Sequence, residues 1–231
     1  MTPKSDVTHA AVEALTAVTS FEGLDATTLN AIARVAIKRE YGAGQVVFLE
    51  GEPCAGLYIV QNGWLKSVKT SPSGREQVMR FVGPGEVFNE IGVLVGEANV
   101  VTVVALEPAT VWVIQRETLL QLMEEHPRLA HVIMRNLARR VQHLIGLVED
   151  LSLRTVESRL ARLLLEQSSA DVLARRRWAT QAEMAARLGT VPDVLNRALR
   201  NLTEEGLIQI QRHQVQILNR QGLEDKAKLG S

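Results

Sequence analysis

The sequence predicts an α+β protein built in series: an antiparallel β-domain preceded by short helices, one long helix, and a helical C-terminal section closed by a β-hairpin. Three observations carry this. Between Tyr41 and Arg116, short apolar runs alternate with glycine turns. From about Arg128 to Leu151, apolar residues recur at alternating spacings of four and three. From Thr180 to Ile208, the text TQAEMAARLGTVPDVLNRALRNLTEEGLI reads as two short helices broken at one glycine. The domains that follow are 1–116, 117–153 and 154–231.

Two helix-like stretches, AAVEALTAV and DATTLNAIARVA, come first, and Asp25 is placed to cap the second. The runs QVVFLEGEP, GLYIVQNGWLKSVKT, EQVMRFVGPGEVF and VVTVVALEPATVWVI then alternate with a period of two. Punctuated by Ser-Gly and Pro-Gly, they predict an antiparallel sandwich or roll. In the long helix Ala130, Met134, Leu137, Val141, Leu144, Val148 and Leu151 form a heptad seam. One seam cannot bury itself, so an identical helix across a two-fold axis is expected, and the chain is read as a homodimer. LSLRT, from Leu151 to Thr155, is the expected hinge.

The net charge is zero, but its distribution is uneven. Residues 1–153 carry 13 Lys and Arg against 17 Asp and Glu, whereas residues 154–231 carry 13 against 9. The basic part holds the paired helices, which points that end toward a polyanion. The N-terminus MTPKSDVTHA has no apolar core of a leader, and no run reaches the roughly 18 apolar residues a membrane span needs, so a cytoplasmic protein with no membrane partner is expected. A single cysteine, Cys54, excludes an internal disulfide and a cysteine-cluster metal site within one chain.

In the paired helices, Thr180 and Glu183 make a capping box that starts the first, and Gly189 can adopt the left-handed turn that stops it. Pro192 suits the first position of the second helix, and Gly206 ends it. Leu195, Ala198, Leu199 and Leu202 fall on one face. Asp193, Asn196, Arg197 and Arg200 fall on the other. Such a helix fits the major groove, where an arginine can lay its fork on guanine O6 and N7 and a carboxylate can accept from cytosine N4. An exposed ion pair between Asp193 and Arg197 accounts for two of these residues only. With TVESRLARLLLEQ before the pair and GLIQIQRHQVQILN after it, the section reads as a winged helix-turn-helix that binds double-stranded DNA.

On these residues the chain resembles the Crp/Fnr family of bacterial transcription regulators from roughly Phe21 to Leu223. YGAGQVVFLEGEP, GLYIVQNGWLK, FNEIGVLVGE, NLARRVQHL and TQAEMAARLG stand in that family's order and spacing. The resemblance implies a cyclic-nucleotide-binding-like β-roll (a double-stranded β-helix), a transcription regulator rather than an enzyme, and RNA polymerase as a further partner. It also implies Thr180 and Arg200 as phosphate contacts and Asp193, Asn196 and Arg197 as base readers. Pro192 departs from it, since cyclic-AMP-responsive members carry a basic side chain there.

By the same resemblance, the effector pocket comprises Glu90, Asn99, Val100, Leu144 and Ile145. Cyclic-AMP-responsive members have an Arg-Ser pair where this chain has Asn99 and Val100, and Thr-Ser where it has Leu144 and Ile145. The phosphate thus loses its cation and the base its hydroxyls, so cyclic AMP is not the expected cofactor. Asn99 is instead expected to hydrogen-bond Glu90. Haem would need an axial ligand from Cys54, His126, His131 or His143, and nothing singles one out. The effector is left open between an apolar molecule and none. A metalloenzyme on the β-domain would need inward histidines, yet no histidine lies between Tyr41 and Ile114.

Overall fold

A computed structural model describes residue 15 and residues 18–174, 179–211 and 214–228. The expected first helix, 10–18, falls almost wholly outside these, as do the RRRW run and the hairpin tip at Arg212 and His213. The chain packs as two compact units, one made of the described residues up to 69 with 79–142, the other of residues 70–78 with those from 143 onward.

In the first unit, helix α1 (Ala26–Val35) starts where Asp25 accepts a hydrogen bond from the Thr28 amide at 2.8 Å, as its sequence position implies. Strands β1 (Ile37–Tyr41), β2 (Val46–Phe48), β3 (Gly56–Asn62), β4 (Leu65–Thr70), β5 (Glu76–Val82) and β6 (Val87–Phe88) follow. After helix α2 (Glu90–Val95) come β7 (Thr102–Ala105) and β8 (Ala109–Gln115). They form two four-stranded sheets, in the orders β1-β8-β3-β6 and β2-β7-β4-β5, the antiparallel roll that the glycine-punctuated runs predict.

The sheet containing β3 and β8 is buried on both faces. Tyr58, Val60, Val111 and Val113 point into a core between the sheets, with Phe48, Leu65, Phe88 and Val103. Leu57, Ile59, Trp112 and Ile114 point the other way, onto Ile32 of α1, Leu119 and Leu122 of α3 (Arg116–Glu125), and Leu129, Val132 and Ile133 at the start of α4 (Pro127–Leu153). That explains why GLYIV is a continuous apolar run rather than a half-polar strand. Gly56 opens β3 so close to β8 that a Cβ there would meet the Ile114 carbonyl oxygen at 2.0 Å. Phe48, Tyr58 and Phe88 cluster at ring separations of 5.0 to 6.1 Å, and burial pushes the Tyr58 hydroxyl pKa up to about 12.

In the second unit, α5 (Val156–Gln167), β9 (Val172–Ala174), α6 (Gln181–Arg187), α7 (Pro192–Glu204), β10 (Ile208–Ile210), β11 (Gln214–Ile217) and α8 (Arg220–Lys228) enclose a core of Leu160, Leu164, Leu195, Leu202 and Ile208. The hairpin is one strand wider than the sequence reading, because β9 pairs on β11 and gives the order β10-β11-β9. Arg154 and Thr155 alone separate α4 from α5, and the Thr155 side chain caps α5 from the expected hinge. Helix α8, also unforeseen, is fastened at its end: Arg154 and Ser158 both donate to the Ala227 carbonyl oxygen, and Lys226 bridges Glu157 and Glu205 at 2.9 and 2.7 Å.

Ile59, fully buried among the side chains joining sheet and helices, is expected to be the costly position of the first unit. Ile59→Ala should lower unfolding free energy by about 2–5 kcal/mol in a denaturant titration, with no new species by solution sizing.

Candidate nucleic-acid interface and effector pocket

Helix α6 begins at Thr180, whose side-chain oxygen accepts from the Glu183 amide at 3.2 Å, and Gly189 turns the chain with φ of 65°. Val191 is extended, with φ of −112° and ψ of 155°, and Pro192 opens α7. Leu195, Ala198, Leu199 and Leu202 are buried, which fixes the rotation of α7 about its axis. Asp193, Arg197 and Arg200 are therefore exposed and Asn196 half-buried. Among the described residues none of these four has a hydrogen-bond or ion-pair partner, so Asp193 and Arg197 do not neutralise one another. The face consists of free donors and acceptors at helical spacing, as an interface for an external polar ligand requires. Beside it, a groove of about 430 Å³ runs between α6, α7 and the β10–β11 hairpin, a feature that needs the fold and is invisible in the linear text.

In the first unit, Glu90 is the first residue of the short helix α2. Asn89 precedes it in the left-handed conformation, φ 73°, ordinarily a glycine's. The expected bond between Asn99 and Glu90 is not the one formed. Asn89 Nδ2 donates to Asn99 Oδ1 and to the Gly56 carbonyl, both at 3.1 Å, while Asn99 Nδ2 donates to the Leu49 carbonyl at 3.4 Å. The cause is the left-handed Asn89, which carries its own amide to Asn99. The buried Asn99 is thus part of the scaffold, and Val100 beside it is 41 % exposed.

The expectation of a pocket without a cation also needs correcting. Burial raises the Glu90 carboxyl above its usual range, while its own backbone amide, Arg80 and Arg140 act to lower it. Arg80 is held by Glu86 at 2.7 Å. Arg140 comes from α4, its guanidinium pKa is lowered to about 10 mainly by burial, and its Nη1 has no hydrogen-bond partner among the described residues. Sequence spacing gave no hint of it, because Arg139 and Arg140 read as one charged step on the long helix. Cys54, half-buried with its thiol pKa raised by burial, is a poor thiolate and so a poor ligand.

Along α4, Met134, Val141, Val148 and Leu151 of the seam are exposed and Leu137 and Leu144 are half-buried. Val141, Ile145 and Val148 are 50, 62 and 63 % exposed, an apolar stripe that a single chain leaves in water. Leu144 and Ile145 lie in the second unit, past residue 143. No helix among the described residues is long and apolar enough to cross a membrane.

A cyclic nucleotide-binding domain model matches residues 38–126, and a Crp-like helix-turn-helix domain model matches residues 158–226. The chain is 31 % identical over 212 residues to a Lacticaseibacillus casei protein named Probable transcriptional regulator flp, covering 90 % of this chain and 94 % of that one. It is 25 % identical over 214 residues to the CRP-like cAMP-activated global transcriptional regulator of Mycobacterium tuberculosis H37Rv, covering 90 and 96 %. The structure of FixK2 from Bradyrhizobium japonicum superposes with a TM-score of 0.72 at 25 % identity, covering 83 % of this chain and 96 % of that one. An antiparallel roll, a long helix and a winged helix-turn-helix in this order define a transcription regulator whose β-domain is of the cyclic nucleotide-binding type. The chain belongs to the Crp/Fnr family of transcription regulators. Its relatives are regulators, not enzymes.

Because burial raises the Glu90 pKa in the folded state, the ionised carboxylate weakens the fold at neutral pH and the protonated one does not. Glu90→Gln should therefore raise the melting temperature at pH 7, and the gain should vanish as pH falls below the ordinary carboxylate range. Melting curves from about pH 3 to about pH 8 check this.

Proposed function

We propose that the chain is a cytoplasmic homodimer that reads an inverted DNA repeat, with an effector domain that works without cyclic AMP. The observation that carries the reading is the partnerless polar face of Asp193, Asn196, Arg197 and Arg200 on a helix whose opposite face is fully buried. Arg197 and Asn196, with Asp193 beside them, read base edges, and Arg200 and Thr180 take backbone phosphates. In this reading residues 1–116 sense, 117–153 dimerise through Met134, Leu137, Val141, Leu144, Val148 and Leu151, and 154–231 bind DNA. Two copies paired along that stripe would carry two α7 helices to half-sites about one helical turn apart. RNA polymerase is the further partner this assignment calls for.

The cyclic-AMP-independent reading rests on side-chain chemistry. Asn99 is uncharged and its amide is already occupied, and Val100, Leu144 and Ile145 offer no hydroxyl to a phosphate or a base. Arg80 is occupied by Glu86, and Arg140 offsets the buried Glu90. A nucleotide's polar groups would enter with too few partners, a loss of several kcal/mol that removes micromolar affinity (about −8 kcal/mol). In this respect the chain would differ from the M. tuberculosis relative, whose name includes activation by cAMP.

Selection from a random DNA pool would supply the operator. Arg197→Ala should then cost about 1–3 kcal/mol on it and relax the preference for one base per half-site. Arg200→Ala should weaken operator and random duplex alike, and indistinguishable variants would refute the division of roles. Purified protein should bind the operator at twice the chain mass without any nucleotide. Calorimetric micromolar binding of cyclic AMP accompanied by tighter operator binding would overturn the effector reading.

A further inference from the structure

The joint between α4 and α5 is two residues long, Arg154 and Thr155, and each brings two soft backbone dihedrals. Left to itself, such a joint would let the winged helix swing. Side chains restrain it instead. Asp150, in the last turn of α4, receives Arg154 Nε at 3.1 Å and Arg162 Nη1 of α5 at 2.9 Å on the same carboxylate oxygen. Its backbone carbonyl accepts from Nη1 of the buried Arg159 at 3.4 Å. Two outer carboxylates hold these guanidinium groups in turn, Glu149 on Arg154 at 2.9 Å and Glu166 on Arg162 at 2.7 Å. The remaining nitrogen of Arg154 donates to the Ala227 carbonyl of α8. Isolated surface ion pairs stabilise little, but these form a network, and the Arg154, Asp150 and Arg162 side chains are only 20, 25 and 35 % exposed. They also gather at the C-terminal end of a helix, where its dipole favours cations. A further contact ties the same turn of α4 to the paired helices, since a Cβ at Gly189 would collide with Leu151. Helix α5 therefore cannot change its direction from the end of α4 without breaking several charged contacts at once.

Resting on the inverted-repeat reading above, we propose that Asp150 is a positioning residue for operator recognition: it locks the α4–α5 joint, presets the direction of each winged helix, and so selects the spacing between half-sites. Two copies paired along α4 carry one joint each, and the separation of their α7 helices follows from the two joint angles. A locked joint permits one separation. A loose joint accepts several. Because Asp150 works on the joint and not on the polar face of α7, it governs the distance between half-sites and leaves the bases read within each unchanged. The lock is made wholly of side chains and carbonyls already in the chain, so it needs no nucleotide to form.

The test has one arm without DNA and one with it, both on the full chain. Asp150→Asn keeps the shape of the side chain and removes its charge. Hydrogen exchange followed by mass spectrometry should then run about three- to tenfold faster in a peptide covering 150–157, with the core of α5 around Leu160 and Leu164 unchanged. In the second arm the selected operator is compared with versions one base pair longer or shorter at the centre, which shifts one half-site by about 3.4 Å and turns it by about 35°. The ratio of affinities at one salt concentration cancels the phosphate contribution. The unmodified protein should favour the selected spacing, and Asp150→Asn should shrink that preference about three- to tenfold while the preferred bases stay the same. Arg162→Gln should act alike, and the double variant should add little, because both changes break one contact. Glu166→Gln, which removes a pair inside α5, should alter neither readout. Unchanged exchange in both Asp150→Asn and Arg162→Gln would overturn the lock, and faster exchange with an unaltered spacing preference would overturn its role in spacing. If the melting curve shows that Asp150→Asn does not fold, Arg162→Gln decides by itself. An unmodified protein without any spacing preference, beside variants whose joints do loosen, would sink the inverted-repeat reading instead, so the two failures are distinguishable.

Discussion

The rotation of α7 about its own axis is the constraint on which the second unit depends. Four buried side chains, Leu195, Ala198, Leu199 and Leu202, leave that helix a single phase. Turning it by one residue, 100°, would drive arginine into the core and lift leucine into water, a change of several kcal/mol in the wrong direction. The outward set is therefore dictated by the inward set. The helix ends are fixed separately, by Pro192 at the start and by Gly206, at φ 69°, just beyond the end. Recognition chemistry sits on a scaffold whose degrees of freedom have been removed one at a time.

The first unit obeys a different constraint, the double burial of the sheet that holds β3 and β8. Because both faces are covered, side chains of alternating parity commit to different cores, and the α2 turn is held between them. Val93 of α2 lies in one core while Phe88, just before it, lies in the other. Asn89 bridges the two in a left-handed conformation, with its amide held by Gly56 and Asn99. Glu90 follows it into a nearly buried position, where Arg140 and Arg80 supply the opposing charge.

Much of this was legible in the sequence, because the signals were periodic or conformational. Glycine punctuation gave the roll, the Thr180 cap and Gly189 gave the helix pair, and the heptad spacing gave an unburied stripe. What was missed has physical reasons. Strand β9 is three residues long, too short for a period, and exists by pairing with β11. Helix α8 buries one residue, Leu223, so it has no apolar stripe to read and is held by polar bonds to other helices. The Asn99 partner and the Arg140 contribution depend on contacts between residues distant in the chain or on a left-handed residue. Neither is a property of spacing.

The fastening of α8 has a practical consequence for how the molecule can be handled. The Ala227 carbonyl accepts from both Arg154 and Ser158, and Lys226 joins α5 to the residue just past α7. These bonds come from Lys226 and Ala227 at the end of α8, a short polar helix whose removal in a shortened expression clone would ordinarily be considered harmless. Here α8 is a structural clasp on the junction between α4 and α5. Clones ending before Lys226 would release that clasp.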